Sequence, residues 1–216
     1  ICENARTYLH VDAVQAITHM PIDLSAMNVD LLSISGHKFH APKGIGLLYV
    51  KTGVHLQNLI HGGQQEAGCR SGTENVPYII GITKALEVGL NKYNDYESRL
   101  NGYTRFFLSK LDDSRINYIL NGPNIGKDRL PGNLNLSFKD YDGSDITYYL
   151  NKAGIYVSTG SACDSTSIEP SHVLKVINVP LNYINASIRF SFGEYTTFEE
   201  VEHSVETLIN ILTELK

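Results

Sequence analysis

Apolar positions change their spacing several times along this chain, and the changes mark out its elements. The opening residues, up to 9, have the spacing of a helix's last turns. Tyr8-Leu9-His10-Val11-Asp12 then alternates as a strand does. A protein seldom begins inside an element, so the fold is expected to lack an N-terminal part. Residues 13–18 have helical spacing, and DLLSIS (30–35) and GLLYV (46–50) are short, strongly apolar strands. Between those strands lies GHKFHAPKG (36–44), a glycine-bounded loop crowded with two histidines and two lysines. Residues 61–75, HGGQQEAGCRSGTEN, form a long polar loop. Pro77 then opens a helix over 77–91, since its missing N–H costs nothing in a first turn. Residues 95–111 form a second amphipathic helix, placed as a bridge to another domain.

The second half has a different rhythm. NLNLSF (133–138) alternates as a strand, 144–153 is helical, and 155–157 starts another strand. A loop of small residues follows over 158–167, then a helix over 171–177 and the strand ASIRFSF (186–192). The last helix covers 197–215, with Thr196-Thr197 ahead of Phe198 as an N-cap and Glu199-Glu200 in its first turn. Alternating strands and helices predict an α/β domain over 1–92, followed by a smaller α+β domain over 93–216. With 216 residues, 42% of them hydrophobic, the chain can build proper cores. A formal charge of −5 argues against nucleic acid as the main partner. No apolar run approaches the roughly 18 residues of a membrane span. The start has neither the charged nor the apolar region of a signal peptide. Three widely spaced cysteines do not suggest a disulfide framework, so a cytoplasmic chain with reduced thiols is expected.

Ser35, His37 and Lys38 fall where a strand ends, and ligands of α/β sheets gather at the carboxyl ends of strands. A lysine there can bond covalently to a carbonyl cofactor, while a hydroxyl and an imidazole suit a phosphate. Pyridoxal chemistry also needs a carboxylate to keep the ring nitrogen protonated, and Asp12, ending its strand, could supply it. Gln15, three residues on, could reach the ring hydroxyl. On local pattern alone, an exposed lysine and a helix-capping aspartate explain the same residues.

HVDAVQA, SGHKFHAPKGIG, GGQQEAGCRSGTEN, STGSAC and SIRFSFG, in that order, resemble the cysteine desulfurases. These are pyridoxal 5'-phosphate enzymes of the aspartate aminotransferase fold, and the likeness is to their nitrogen-fixation and iron–sulfur-assembly branch. The resemblance implies the later part of a fold-type I large domain, then a small C-terminal domain carrying a catalytic cysteine loop. It implies that Lys38 is the Schiff-base lysine, with Lys43 a surface or structural neighbour. Asp12 would pair with the pyridine nitrogen and Gln15 with the ring oxygen. Ser35 and His37 would hold the phosphate, and Thr73 would reach the phosphate of the other subunit in a homodimer. Arg189 would clamp the substrate carboxylate, although a strand arginine is otherwise most often a salt-bridge partner. His10 would support the cofactor indirectly or serve as a satisfied core histidine.

Cys163 would attack the sulfur of L-cysteine, leaving L-alanine and a persulfide; Cys2 and Cys69 read as bystanders. No metal is implied. The sulfur would pass to an acceptor protein, a scaffold for iron–sulfur clusters or a tRNA-thiolation enzyme. Relatives carry a long segment ahead of the point where this chain starts, which supplies further cofactor contacts. Two other readings accompany the enzyme: a non-catalytic fragment with an incomplete cofactor site, and a module that only accepts sulfur on Cys163.

Overall fold

Three short apolar strands, β1 (His10–Asp12), β2 (Leu31–Ser35) and β3 (Gly46–Val50), form one sheet with β2 in the middle. β1 runs parallel to β2, pairing Asp12 with Ser33, and β3 runs antiparallel, pairing Gly46 with Ser35. The computed structural model describes residues 2–5, 7–159 and 170–215. The chain divides into two compact units, Ile1–Asn94 and Asp95–Lys216.

In the first unit, the alternation of LLSIS sends Leu32 and Ile34 into the core and leaves Leu31, Ser33 and Ser35 on the other face. The core is completed by Ala13, Val29, Phe39, Ala41 and Ile82, the last from helix α2 (Val76–Asn91). Asn75 caps that helix by accepting from the Tyr78 N–H at 3.3 Å. A short helix, α1 (Cys2–Ala5), precedes the sheet.

Two expectations about elements are corrected. Residues 13–18 form turns: the amides of Ala16 and Ile17 both bond to the Ala13 carbonyl. Thr18 then takes a left-handed φ of 63°, which ends the right-handed run after one turn. Residues 155–157 form no strand; the chain meets a sheet edge only at Ser158, in a single bridge to Arg189.

The second unit is an antiparallel sheet, β4 (Tyr118–Leu120), β5 (Asn133–Phe138) and β6 (Ser187–Ser191), in that order. One face is covered by α3 (Tyr93–Ser114), α4 (Gly143–Lys152) and α7 (Phe198–Glu214). Leu134, Leu136 and Phe138 of β5 and Ile188 and Phe190 of β6 point into that core. They meet Leu100, Phe107 and Leu111 of α3 and Val201, Val205, Leu208 and Leu212 of α7, apolar residues at helical spacing. Each such fully buried side chain is worth about 1.5–3 kcal/mol relative to exposure. Thr197 and Glu200 form a reciprocal capping box at the start of α7. Two further short helices, α5 (His172–Val176) and α6 (Leu181–Ile184), precede β6. Among the described residues no helix is long and apolar enough to cross a membrane.

Candidate active site

Parallel pairing of β1 and β2 brings their carboxyl ends to the same end of the sheet. Asp12 closes β1 there, and the chain leaving β2 turns directly into a single 3-10 turn, Gly36–Phe39. Phe39 is buried in the core beneath this turn and acts as its anchor. Gly36 is buried too, because a Cβ at that position would lie 3.0 Å from both the Ala41 Cβ and the Ile45 carbonyl oxygen. With those two residues inward, His37 is exposed and Lys38 half-buried. His40 ends the turn at a left-handed φ of 67°, its amide bonded to the Gly36 carbonyl. The first turns of α2 pack close behind: a Cβ on Gly81 would come within 3.0 Å of the Pro42 ring.

Around Lys38 the polar groups are already ordered by one another. Ser35 Oγ and His37 Nδ1 lie 2.9 Å apart, so hydroxyl and imidazole form one pair on the turn. His10 Nε2 lies 2.8 Å from Ser33 Oγ and stands exposed, which removes it from the class of core histidines. Ser33 was not singled out from sequence, yet its place two residues before Ser35 in an alternating strand was the available signal. Asp12 Oδ1 accepts from the Val14 amide at 3.0 Å, and the rest of the carboxylate is exposed. Gln15 is exposed in the turn that follows. Thr73 is exposed in the polar loop, two residues before the cap of α2. The donor set of this unit (an amine, a carboxylate and a hydroxyl–imidazole pair at the ends of parallel strands) fits an anionic carbonyl cofactor with a basic ring nitrogen.

Arg189 belongs to the second unit. It is the middle residue of β6, half-buried on the face opposite the helices, and pairs in register with Asn135 of β5. Its backbone exchanges hydrogen bonds with Ser158, at 2.7 and 3.3 Å, across the free edge of β6. Its guanidinium has no carboxylate partner among the described residues. Cys163 lies outside the described residues. Cys69 is exposed and Cys2 half-buried.

The profile of the aminotransferase class-V family matches residues 1–203. The chain belongs to that family. Members depend on pyridoxal 5'-phosphate, the group that the donor set around Lys38 fits. Among curated relatives, "Cysteine desulfurase IscS" of Dictyoglomus turgidum is 44% identical over 209 residues, covering 97% of this chain and 52% of the relative. "Cysteine desulfurase IscS" of Methanosarcina thermophila is 42% identical over 221 residues, covering all of this chain and 53% of the relative. A solved "NifS-like protein" superposes with a TM-score of 0.87 at 36% identity, covering 98% of this chain and 54% of that one. The NifS-like protein from Rickettsia africae also reaches 0.87, at 26% identity, over 98% of this chain and 55% of that one. The α/β fold of the family's cysteine desulfurases is thus present, and the chain spans about half the length of the curated relatives it matches.

Proposed function

We propose that this chain acts in a pyridoxal-phosphate-dependent cysteine desulfurase, turning L-cysteine into L-alanine and passing its sulfur to Cys163. The observation that carries the reading is the convergence of Asp12, Ser35, His37 and Lys38 at the carboxyl ends of two parallel strands. Lys38 Nζ would hold the cofactor covalently, Asp12 would face its ring nitrogen, and Gln15 its ring hydroxyl. The Ser35–His37 pair would donate to its phosphate, joined by Thr73 from the partner copy of a homodimer. When bound there, pyridoxal phosphate supplies a sink for the electrons released at the substrate's α-carbon.

The remaining roles belong to protein groups. The Asp12 carboxylate would keep a proton on the ring nitrogen by proximity of opposite charge. Lys38 Nζ, when not bonded to the cofactor, would take and return protons at the substrate carbons. Arg189 offers a planar two-pronged fork, which matches a carboxylate better than a lysine does. The Cys163 thiolate attacks the substrate sulfur. The bond between sulfur and carbon breaks, its electron pair stays with the carbon skeleton, and a proton added there completes L-alanine. Cys163 is left as a persulfide, with no external oxidant or reductant required. The persulfide sulfur then serves a protein acceptor in iron–sulfur assembly or tRNA thiolation, in the cytoplasm.

The test is incubation with L-cysteine, with alanine and sulfide measured, on the chain alone and after addition of the N-terminal segment that its relatives carry. Alanine and sulfide in equal amounts, the sulfide released from the Cys163 persulfide by an added thiol reductant, are expected from the assembled protein. Absence of both, with pyridoxal phosphate bound, would remove the desulfurase reading and leave a non-catalytic fragment.

A further inference from the structure

The face of the second sheet that carries Arg189 is lined by polar side chains, and their hydrogen bonds run in one direction. Ser187 Oγ donates to the Ile184 carbonyl at 2.9 Å. That uses its single proton, so in its contact with Ser137 Oγ it can only accept. Ser137 has then spent its own proton on Ser187 and must accept from its other neighbour, Asn121 Nδ2, at 2.7 Å. The second proton of Asn121 Nδ2 goes to Asn135 Oδ1, at 2.6 Å. Asn121, Ser137 and Ser187 are all buried, which leaves water little room to change the order.

The consequence falls on Asn135. Its carbonyl oxygen is held toward β4, on which Asn121 follows, so its NH2 group faces the other way, toward β6. Its partner in register on β6 is Arg189, and opposite residues of an antiparallel pair carry their side chains on one face, with Cβ atoms about 4.5–5.5 Å apart. Two donor-bearing side chains, an amide NH2 and a guanidinium, thus leave one face at paired positions, and no side-chain acceptor among the described residues bonds to either of them. Donors gathered without an acceptor call for an anion.

We propose that Asn135 is a second donor for the α-carboxylate of the amino-acid substrate beside Arg189, and that Asn121 is the positioning residue that aims it. The inference rests on the desulfurase reading and deepens it: Arg189 supplies charge, and Asn135 fixes which way the carboxylate plane turns.

The experiment titrates the cofactor's absorbance band in the natural-length holoenzyme with L-alanine and with cysteamine, the latter lacking a carboxylate. Asn135→Ala is expected to weaken L-alanine roughly tenfold or more, the scale of a hydrogen bond to a charged group, and to leave cysteamine unchanged. Asn121→Ala, which frees the Asn135 amide to rotate, is expected to show a smaller loss of the same selectivity. Should Asn135→Ala fold poorly, Asn135→Ser keeps an acceptor for Asn121 on a shorter side chain and is expected to lose L-alanine selectively too. Unchanged affinity for L-alanine in the Asn135 variants would overturn the inference while leaving the desulfurase reading intact. Equal loss for both ligands would also overturn it, by making Asn135 merely structural. A parent protein whose band ignores L-alanine, L-cysteine and cysteamine alike would defeat the desulfurase reading, and the inference with it.

Discussion

Lys38 and Lys43 share one short loop, but the turn treats them differently. Lys38 sits between the buried Gly36 and the buried Phe39, which hold its backbone firmly, whereas Lys43 is an exposed residue beyond Pro42. Lys38→Ala is therefore expected to abolish the visible absorbance of covalently held pyridoxal phosphate, and Lys43→Ala to leave it intact. Absorbance spectra of the two holoproteins decide the matter; a band surviving in the first would move the covalent link elsewhere. Cys163→Ser belongs to the same scale. A serine hydroxyl is a far weaker nucleophile toward sulfur than a thiolate, so this variant should still bind L-cysteine but release no alanine. Mass spectrometry of the parent after L-cysteine should find one extra sulfur on the Cys163 peptide. The same addition on the peptide carrying Cys69, which is exposed, would reassign the sulfur carrier.

At the scale of elements, α7 and β4 make contrasting cases. Thr197 accepts from the Glu200 amide at 3.2 Å while Glu200 Oε2 accepts from the Thr197 amide at 2.9 Å. Thr197→Ala breaks both halves and is expected to cost about 1 kcal/mol in urea unfolding, the usual worth of an N-cap. The helix was legible in sequence because its apolar period and its cap agree. β4 was not: three residues are too few for alternation to register, and the strand exists because it pairs with β5 and is tied back to α3. The tie is Tyr118, whose hydroxyl donates to Asp112 Oδ1 at 2.6 Å. Burial, then that hydrogen bond and the Asp112 charge, push the tyrosine above its usual value near 10. A group held protonated in the folded state gives stability that is complete below its unfolded value and lost as pH rises past it. Stability of the second unit should therefore fall above about pH 10. In Tyr118→Phe that part of the alkaline loss should be absent, which denaturant titrations at pH 9 and 11 would reveal.

On the scale of the whole molecule, the two units differ in how much core they own. Among the described residues, seven buried hydrophobic residues make up the first cluster and eighteen the second, so the second has far more apolar surface to protect it. The first unit also leaves large side chains in water: Leu59 is 93% exposed, Ile80 65% and Leu48 48%. Two unfolding transitions are expected on heating, with amides of Leu32 and Ile34 exchanging before those of Leu136 and Ile188. Calorimetry with hydrogen exchange read by mass spectrometry tests this, and a single cooperative transition would contradict it.

Periodicity and residue type by themselves determined most of the elements and the capped start of α7, and the order of five short motifs pointed to the family. Local spacing is enough for those, because helices, strands and short motifs are built from neighbours in sequence. It was not enough for residues 13–18, where one left-handed residue outweighed helical spacing, nor for β4. The direction and register of strand pairing belong to tertiary structure alone. Parallel pairing of β1 with β2 decided that Asp12 and Lys38 emerge at the same end of a sheet. The β5–β6 register decided that Asn135 stands opposite Arg189, and a chain of single-proton donors decided which way its amide turns. Hydrogen bonds between distant strands carry that information, and no local pattern records it.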